Sequence, residues 1–295
     1  MKKIRHLLEY AGMRIGLFFL DRVPLGAAIR VSHLLADAWF LVNRSRRTTA
    51  MENIRRAGIA QGEGECRKIA RQSFRHFGDL VVESLKSDRE FTEQNWRDRV
   101  EMEIAPEAMA VLNNPTKGFI LVSGHFGNWE VAAQLLSFIK PVVGITRDMN
   151  NPYTDRLMKE RKPRNRFRLT PKHDAEAGRF LSILKNGEML ALMIDQHARD
   201  RGMPINFFGT PAATHTSAAL LHLVTGAALS FGYCLRIGPL KYRMVLMPPI
   251  RYKRTGNKEK DIRAIMEELT RHLEDTIRKN PEQYLWAHRR WRLQV

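Results

Sequence analysis

The stretch Gly118-Phe-Ile-Leu-Val-Ser-Gly-His-Phe-Gly-Asn-Trp-Glu130 carries the most information in the chain. Its first half is a continuous apolar run bounded by glycines. Such a run suits a strand covered on both faces, as strands of parallel sheets are. A helix is expected from about 128 to 138, and Pro141-Val-Val-Gly-Ile-Thr146 reads as the next strand. Working outward, 100–104 alternates like a strand and 105–112 like a short helix. Further along, 176–185 reads as helix, 188–194 as strand, 215–225 as helix, and 227–237 and 242–250 as strands. A long helix over 261–280 is predicted from Ile262, Ile265, Leu269, Leu273 and Ile277, spaced by three or four. Strands alternating with helices predict an α/β fold: one sheet covered by helices.

Upstream of residue 85 the texture is helical. Ile29, Leu34, Leu35, Ala38, Trp39 and Val42 recur at helical spacing, as do Ile69, Phe74, Phe77, Leu80 and Val81. Gly62-Glu-Gly64 reads as a loop, followed by one amphipathic helix from Glu65 to Lys86. No run of about 20 uninterrupted apolar residues is present. Glu9, Arg14, Asp21, Arg22, Arg30 and Asp37 break every candidate, and the same charges argue against a signal peptide. The basic start Met1-Lys-Lys-Ile-Arg-His, followed by Leu7, Leu8, Ile15, Leu17, Phe18, Phe19 and Leu20, suits a helix lying in a membrane interface. It equally suits a surface helix packed on the core.

The chain has 295 residues, enough to bury a full core without disulfides or metals. Its two cysteines, Cys66 and Cys234, read as reduced thiols. Lys plus Arg number 49 against 31 Asp plus Glu, a net charge of +18. That excess attracts polyanions: nucleic acid, an anionic leaflet or an acidic protein. Much of it lies between 156 and 172, where Arg156, Lys159, Arg161, Lys162, Arg164, Arg166, Arg168 and Lys172 are opposed only by Glu160 among nearby acids of the same run.

His125 falls just past the carboxyl end of the buried strand, the edge at which open α/β sheets bind ligands. Gly124 and Gly127 flank it and permit close approach of a substrate. Glu130 lies five residues on, in the first turn of the following helix, and the intervening loop lets the two side chains meet. A neutral imidazole can take a proton from an attacking hydroxyl. A carboxylate on its other nitrogen fixes the tautomer and stabilises the imidazolium. Ser123 is not in a Gly-x-Ser-x-Gly elbow, so the nucleophile is expected to belong to the substrate. A purely structural, helix-capping histidine is the competing reading of the same residues.

The setting Gly-His-Phe-Gly-Asn-Trp-Glu resembles the bacterial lipid A biosynthesis acyltransferases. The likeness extends to Arg71-Gln-Ser-Phe-Arg-His-Phe-Gly with Glu83, and to Thr146-Arg-Asp-Met-Asn-Asn-Pro. It continues through Ile194-Asp-Gln196, Phe207-Phe-Gly-Thr-Pro-Ala-Ala-Thr214 and Asn280-Pro-Glu-Gln-Tyr-Leu-Trp-Ala-His-Arg-Arg-Trp291. These blocks stand in family order. The resemblance implies transfer of a fatty acyl chain from an acyl carrier protein thioester to a lipid hydroxyl. That reaction is implied at the cytoplasmic face of the inner membrane, with a lipid A precursor as the default acceptor and no cofactor or metal.

By the same resemblance His125 is the base, Glu130 its orienter, and Arg164 the cation that steadies the thioester oxyanion. Asp195 ends a buried strand at the same edge. It is expected to be a neighbour of the site and is grouped with Arg147, Gln196, Arg289 and Arg290 as substrate-binding. Residues 1–45 are expected to form an amphipathic membrane-associating region and 46–295 the acyltransferase domain. Departures from the family pattern, at Asn53-Ile-Arg-Arg-Ala-Gly-Ile-Ala and His197-Ala-Arg-Asp-Arg-Gly, bear on the acceptor and on membrane attachment. Other membrane lipids are alternative acceptors. Two readings from other classes are a basic nucleic-acid-binding protein and a metal hydrolase built on His125, Glu130, Asp195 and His197. The first lacks zinc-finger, RNA-recognition and basic-zipper motifs. The second lacks His-Glu-x-x-His and Cys-x-x-Cys spacing.

Overall fold

The computed structural model describes residues 2–161, 166–171 and 177–291. Four helices come first: α1 (Lys2–Arg22), α2 (Leu25–Val42), α3 (Arg44–Arg56) and α4 (Glu63–Glu90). Then follow β1 (Val100–Ile104), α5 (Pro106–Leu112), β2 (Phe119–Ser123), α6 (Trp129–Ser137), β3 (Val142–Thr146) and α7 (Pro152–Glu160). Next are β4 (Phe167–Pro171), α8 (Ala177–Lys185), β5 (Met189–Met193), β6 (Met203–Phe207) and β7 (Thr210–Thr214). The chain finishes with α9 (Ser217–Thr225), β8 (Ala228–Gly238), β9 (Lys241–Leu246) and α10 (Lys258–Lys279).

Seven strands form one sheet in the order β1-β9-β8-β2-β5-β3-β4. Every adjacent pair is parallel except β8 and β9. All five residues of β2 are buried, as its continuous apolar run requires. Alternate side chains enter opposite layers. Ile120 and Val122 join a core with Ile183, Ala219 and the Ile265–Leu269–Leu273–Ile277 face of α10. Phe119 and Leu121 join a second core with Leu112, Val131, Leu135 and Tyr242. The mixed α/β sheet with a helical N-terminal region is therefore as the sequence predicts.

Four elements, α7, β4, β6 and β7, escape the periodicity. α7 and β4 lie inside the basic run, where Asn151 caps the helix through its side chain and Pro152 takes the first turn. β6 and β7 form a separate antiparallel hairpin. Its two-residue turn places both Phe208 (φ 50°) and Gly209 (φ 73°) in the left-handed region, the geometry that matches strand twist. A phenylalanine tolerates this because its amide donates to Glu274 Oε1 at 2.7 Å and its ring is buried against Phe207. α4 also begins earlier than expected. The second glycine of Gly62-Glu-Gly64 lies within its first turn, where Glu63 and Glu65 favour the positive end of the helix dipole.

The N-terminal helices pack on the body through polar ties and leave apolar stripes outside. Asp37 of α2 is paired with Arg71 (2.6 Å) and Arg75 (2.5 Å) of α4, and Asp21 with Arg161 at 2.7 Å. Ile4, Leu8, Ile15, Phe18 and Phe19 are exposed on α1, as are Val31, Leu34, Leu35, Trp39, Leu41 and Val42 on α2. α2 has a mean hydropathy of 1.4 and is only 17% buried, so by length and composition alone it is apolar enough to cross a membrane. The two charges counted in the sequence as interruptions, Arg30 and Asp37, do not prevent this.

Candidate active site

Parallel pairing sets the geometry. Ser123 of β2 stands opposite Met193 of β5. Two residues further on, past both strand ends, His125 faces Asp195. The imidazole Nδ1 lies 2.8 Å from Asp195 Oδ1, and the backbone N–H of His125 donates to Oδ2, also at 2.8 Å. Asp195 is 3% exposed and His125 18%. The carboxylate on Nδ1 is thus that of Asp195, where the sequence reading expects Glu130. Glu130 occupies the first turn of α6, and its negative charge favours the imidazolium without holding the ring.

Burial pushes the His125 pKa down. The charge of Asp195, their hydrogen bond and the charge of Glu130 together outweigh it, and the imidazole titrates above its ordinary value. Burial pushes Asp195 up, but His125 and Arg290 hold it below the usual carboxylate range. With Nδ1–H directed to a carboxylate, the neutral ring presents the Nε2 lone pair outward, the orientation a general base requires. Gln196 Nε2 lies 3.2 Å from that atom.

The loop carrying His125 is fixed on three sides. Gly127 N–H donates to Gln283 O (3.0 Å), Asn128 N–H to Cys234 O (2.8 Å), and Leu285 N–H to His125 O (3.1 Å). Gly127 has φ 60°, and a Cβ there would lie 2.0 Å from the Cys234 carbonyl oxygen, so only glycine fits. From α4, His76 Nε2 donates to Gly127 O at 3.1 Å and Ser73 Oγ to Tyr284 O at 2.6 Å. The Tyr284 phenol is buried near Asp195, and burial and that negative charge raise its pKa well above the ordinary value.

Burial lowers the His76 pKa from 6.5 to about 4. The unfolded chain therefore binds this proton at a higher pH than the folded one. The stability it contributes is full above about pH 6.5 and is lost as pH falls towards 4, by about 1.4 kcal/mol per pH unit. Unfolding free energies measured between pH 7 and 4.5 should decline less steeply in His76→Gln than in wild type, the difference being this slope. Parallel curves would mean that His76 is protonated in the fold.

Beside the histidine, a small apolar cavity of about 30 Å³ lies between α6 and the sheet. Leu121, Ser123, Trp129, Ala132, Gly232 and Met244 are among the residues that line it. The Trp129 ring stands 4.9 Å from the His125 ring, edge to face. Cavity and imidazole therefore share a wall.

The remaining sequence candidates separate. Arg147 directly follows β3 and is exposed at the same sheet edge. Arg289 is exposed and donates to Ser45 Oγ. Arg290 is 2% exposed, with its guanidinium bound to Ala213 O and Thr214 Oγ1. It braces Asp195 and β7 from within, and is not free to bind substrate as the sequence reading expects. Arg164 lies outside the described residues, as do Lys162, Lys172 and Arg292. The described members of the basic run are engaged locally. Arg156 pairs with Glu160, Lys159 with Asp148 and Asp155, Arg161 with Asp21 and Arg168 with Glu188. Arg166 donates to Ser137 O and Phe138 O. Among the described residues no three His, Cys, Asp or Glu side chains are grouped to hold a metal ion. Cys66 and Cys234 are buried free thiols.

An imidazole held by a carboxylate at the end of a parallel strand can accept a proton beside an apolar cavity. The chain belongs to the bacterial lipid A biosynthesis acyltransferase family, whose model matches residues 1–293. It is accordingly an acyltransferase. It is 24% identical to the lipid A biosynthesis lauroyltransferase of Escherichia coli, over 98% of this chain and 92% of that one. It is 25% identical to the E. coli lipid A biosynthesis palmitoleoyltransferase, over 84% and 79% of the two chains. The Haemophilus influenzae lipid A biosynthesis acyltransferase is 22% identical over 85% of this chain and 79% of its own. Among solved structures, the 1-acyl-sn-glycerophosphate acyltransferase of Thermotoga maritima aligns over 93% of this chain and 98% of its own, at TM-score 0.38 and 12% identity.

Proposed function

We propose that this protein moves a fatty acyl chain from an acyl carrier protein thioester to a hydroxyl of a lipid A precursor at the cytoplasmic face of the inner membrane. The observation that carries the reading is the His125–Asp195 pair, with Nε2 directed outward beside the apolar cavity. His125 Nε2 takes the proton of the acceptor hydroxyl as that oxygen attacks the thioester carbonyl. Asp195 holds the ring and stabilises the imidazolium, and Glu130 adds a second negative charge. The apolar seam between α6 and the sheet, about 30 Å³ when closed, opens to take the acyl chain, which its lining favours by apolar burial. Arg164 is the cation assigned to the thioester oxyanion, and Arg147 is assigned to an anionic part of the substrates. The exposed stripes on α1 and α2 seat the protein on the bilayer, with residues 1–45 acting as the membrane-associating region and 46–295 as the catalytic part.

The test is a transfer assay with acyl carrier protein loaded with chains of several lengths and a lipid extract containing lipid A precursor, read by mass spectrometry. One acyl mass gained on the precursor by wild type, and lost in His125→Ala at unchanged Tm, is the expected result. Gain on a different lipid would replace the acceptor. Thioester consumption that is equal in both proteins, with no lipid gaining mass, would overturn the reading.

A further inference from the structure

Gln196 follows Asp195 directly, yet the two side chains meet opposite nitrogens of one imidazole. Asp195 accepts from Nδ1–H, so Nε2 of the neutral ring has only a lone pair to offer. The group 3.2 Å from it is an amide nitrogen, which can only donate. Gln196 therefore sits in the place the acceptor hydroxyl must occupy.

The backbone around Gln196 is pinned. Ile194 N–H donates to Ser123 O (3.1 Å), Ala198 N–H to Ala213 O (3.1 Å), and Gln196 O accepts from Arg290 Nη1 (3.4 Å). The side chain itself is exposed and bonded to nothing more rigid than the ring. An arriving hydroxyl can displace it without moving the loop.

We infer that Gln196 is a catalytic residue: its amide caps Nε2 at rest and, once displaced by the acceptor hydroxyl, donates to the thioester carbonyl oxygen during attack. The inference rests on the acyl-transfer reading. In the step it serves, the hydroxyl proton passes to Nε2 while the hydroxyl oxygen bonds the carbonyl carbon. The C=O π pair moves onto the carbonyl oxygen, which accepts the Gln196 N–H. Collapse restores C=O, breaks the C–S bond, and returns the Nε2 proton to the departing thiolate. The attacking oxygen stands on Nε2 and is two bonds from the carbonyl oxygen, so an amide displaced from Nε2 by a rotamer change remains within reach.

Two readouts test this on the full-length protein. In the transfer assay, Gln196→Ala should lower kcat by about 100-fold, the usual loss for one oxyanion donor, with little change in KM for the acceptor. Gln196→Glu should fall similarly and shift the acid limb of the rate profile to higher pH, because a carboxylate beside Nε2 favours the imidazolium. The other charged or titratable groups facing this imidazole or its partner, Asp195, Glu130, Tyr284 and Arg290, are unchanged in both variants. Wild-type kcat in Gln196→Ala would overturn the donor role.

The cap is read without substrate, from the His125 ¹⁵N resonances. Gln196→Ala should move the Nε2 signal and raise the imidazole pKa, since a donor that favours the neutral ring is gone. Unmoved resonances would overturn the cap. A wild-type protein that transfers no acyl chain, but whose Nε2 signal moves in Gln196→Ala, would sink the carbonyl-oxygen role together with the reaction it serves and leave the hydrogen bond standing.

Discussion

Asp195→Asn should lower acyl transfer by about 10²- to 10⁴-fold, the range over which positioned acid–base groups act. The substitution conserves shape at a site that is 3% exposed. It replaces an acceptor that enforces Nδ1–H by an amide that can present its own N–H to Nδ1. The ring then carries its proton on Nε2, and the base faces the acceptor in the wrong tautomer. A second readout separates this from simple damage. The base must be unprotonated to act, and Asp195 is the main influence holding its pKa up against burial. Removing that charge leaves desolvation in place, so the acid limb of the pH–rate profile should move to lower pH. Glu130→Gln should move the limb in the same direction by less, because its charge acts without gripping the ring. Asp195→Asn also takes a counter-charge from buried Arg290, so a lower Tm is expected. Lower stability alone does not move a pH limb. Wild-type rate and an unmoved limb in Asp195→Asn, with loss in Glu130→Gln, would return the orienting role to Glu130.

Glu83→Ala should cost about 3–5 kcal/mol, the usual penalty for leaving a buried charge without its partner. Glu83 on α4 is 0% exposed. Its Oε1 accepts from Arg236 Nε (2.9 Å) and Leu240 N–H (3.1 Å), and its Oε2 from the Tyr242 hydroxyl. Arg236 also reaches Asp79 Oδ2 at 3.3 Å, and Asp79 meets His33 of α2 at 2.7 Å. One carboxylate thus locks α4 to the β8–β9 corner and supports the tie to α2. Truncation leaves a guanidinium, a phenol and an amide buried beside a cavity. For a chain of this size the Tm should fall by about 5–8 °C. Since α4 also bonds the His125 loop through His76 and the C-terminal segment through Ser73, activity should fall before global unfolding. A Tm within about 1 °C of wild type would show that the network is not under load.

Much of this molecule is legible in its sequence. The Gly118–Gly124 run and the α10 stripe report burial through local spacing, and both elements formed where expected. His125 was found because a glycine-flanked histidine at a strand end is a local pattern. The β6–β7 hairpin went unread because Thr210-Pro-Ala-Ala-Thr214 carries little strand signal, and its turn depends on burial of Phe208. The basic run looked like free charge because its partners Asp21, Asp148 and Glu188 are distant in sequence. Arg290 reads as a substrate ligand for the same reason, with Ala213 and Thr214 meeting it only in the fold.

The sequence by itself determined the α/β class, the place of His125 at a strand end and the family. Those are written in periodicities of two and 3.6 residues and in contiguous motifs, which the chain carries wherever it folds. Only the tertiary structure decided which carboxylate holds His125. Glu130 is five residues away and Asp195 is seventy, but β2 and β5 lie side by side in parallel with Ser123 opposite Met193. Strand order and register arise from long-range packing and have no local signature. That register carries Asp195 to Nδ1 and Gln196 to Nε2.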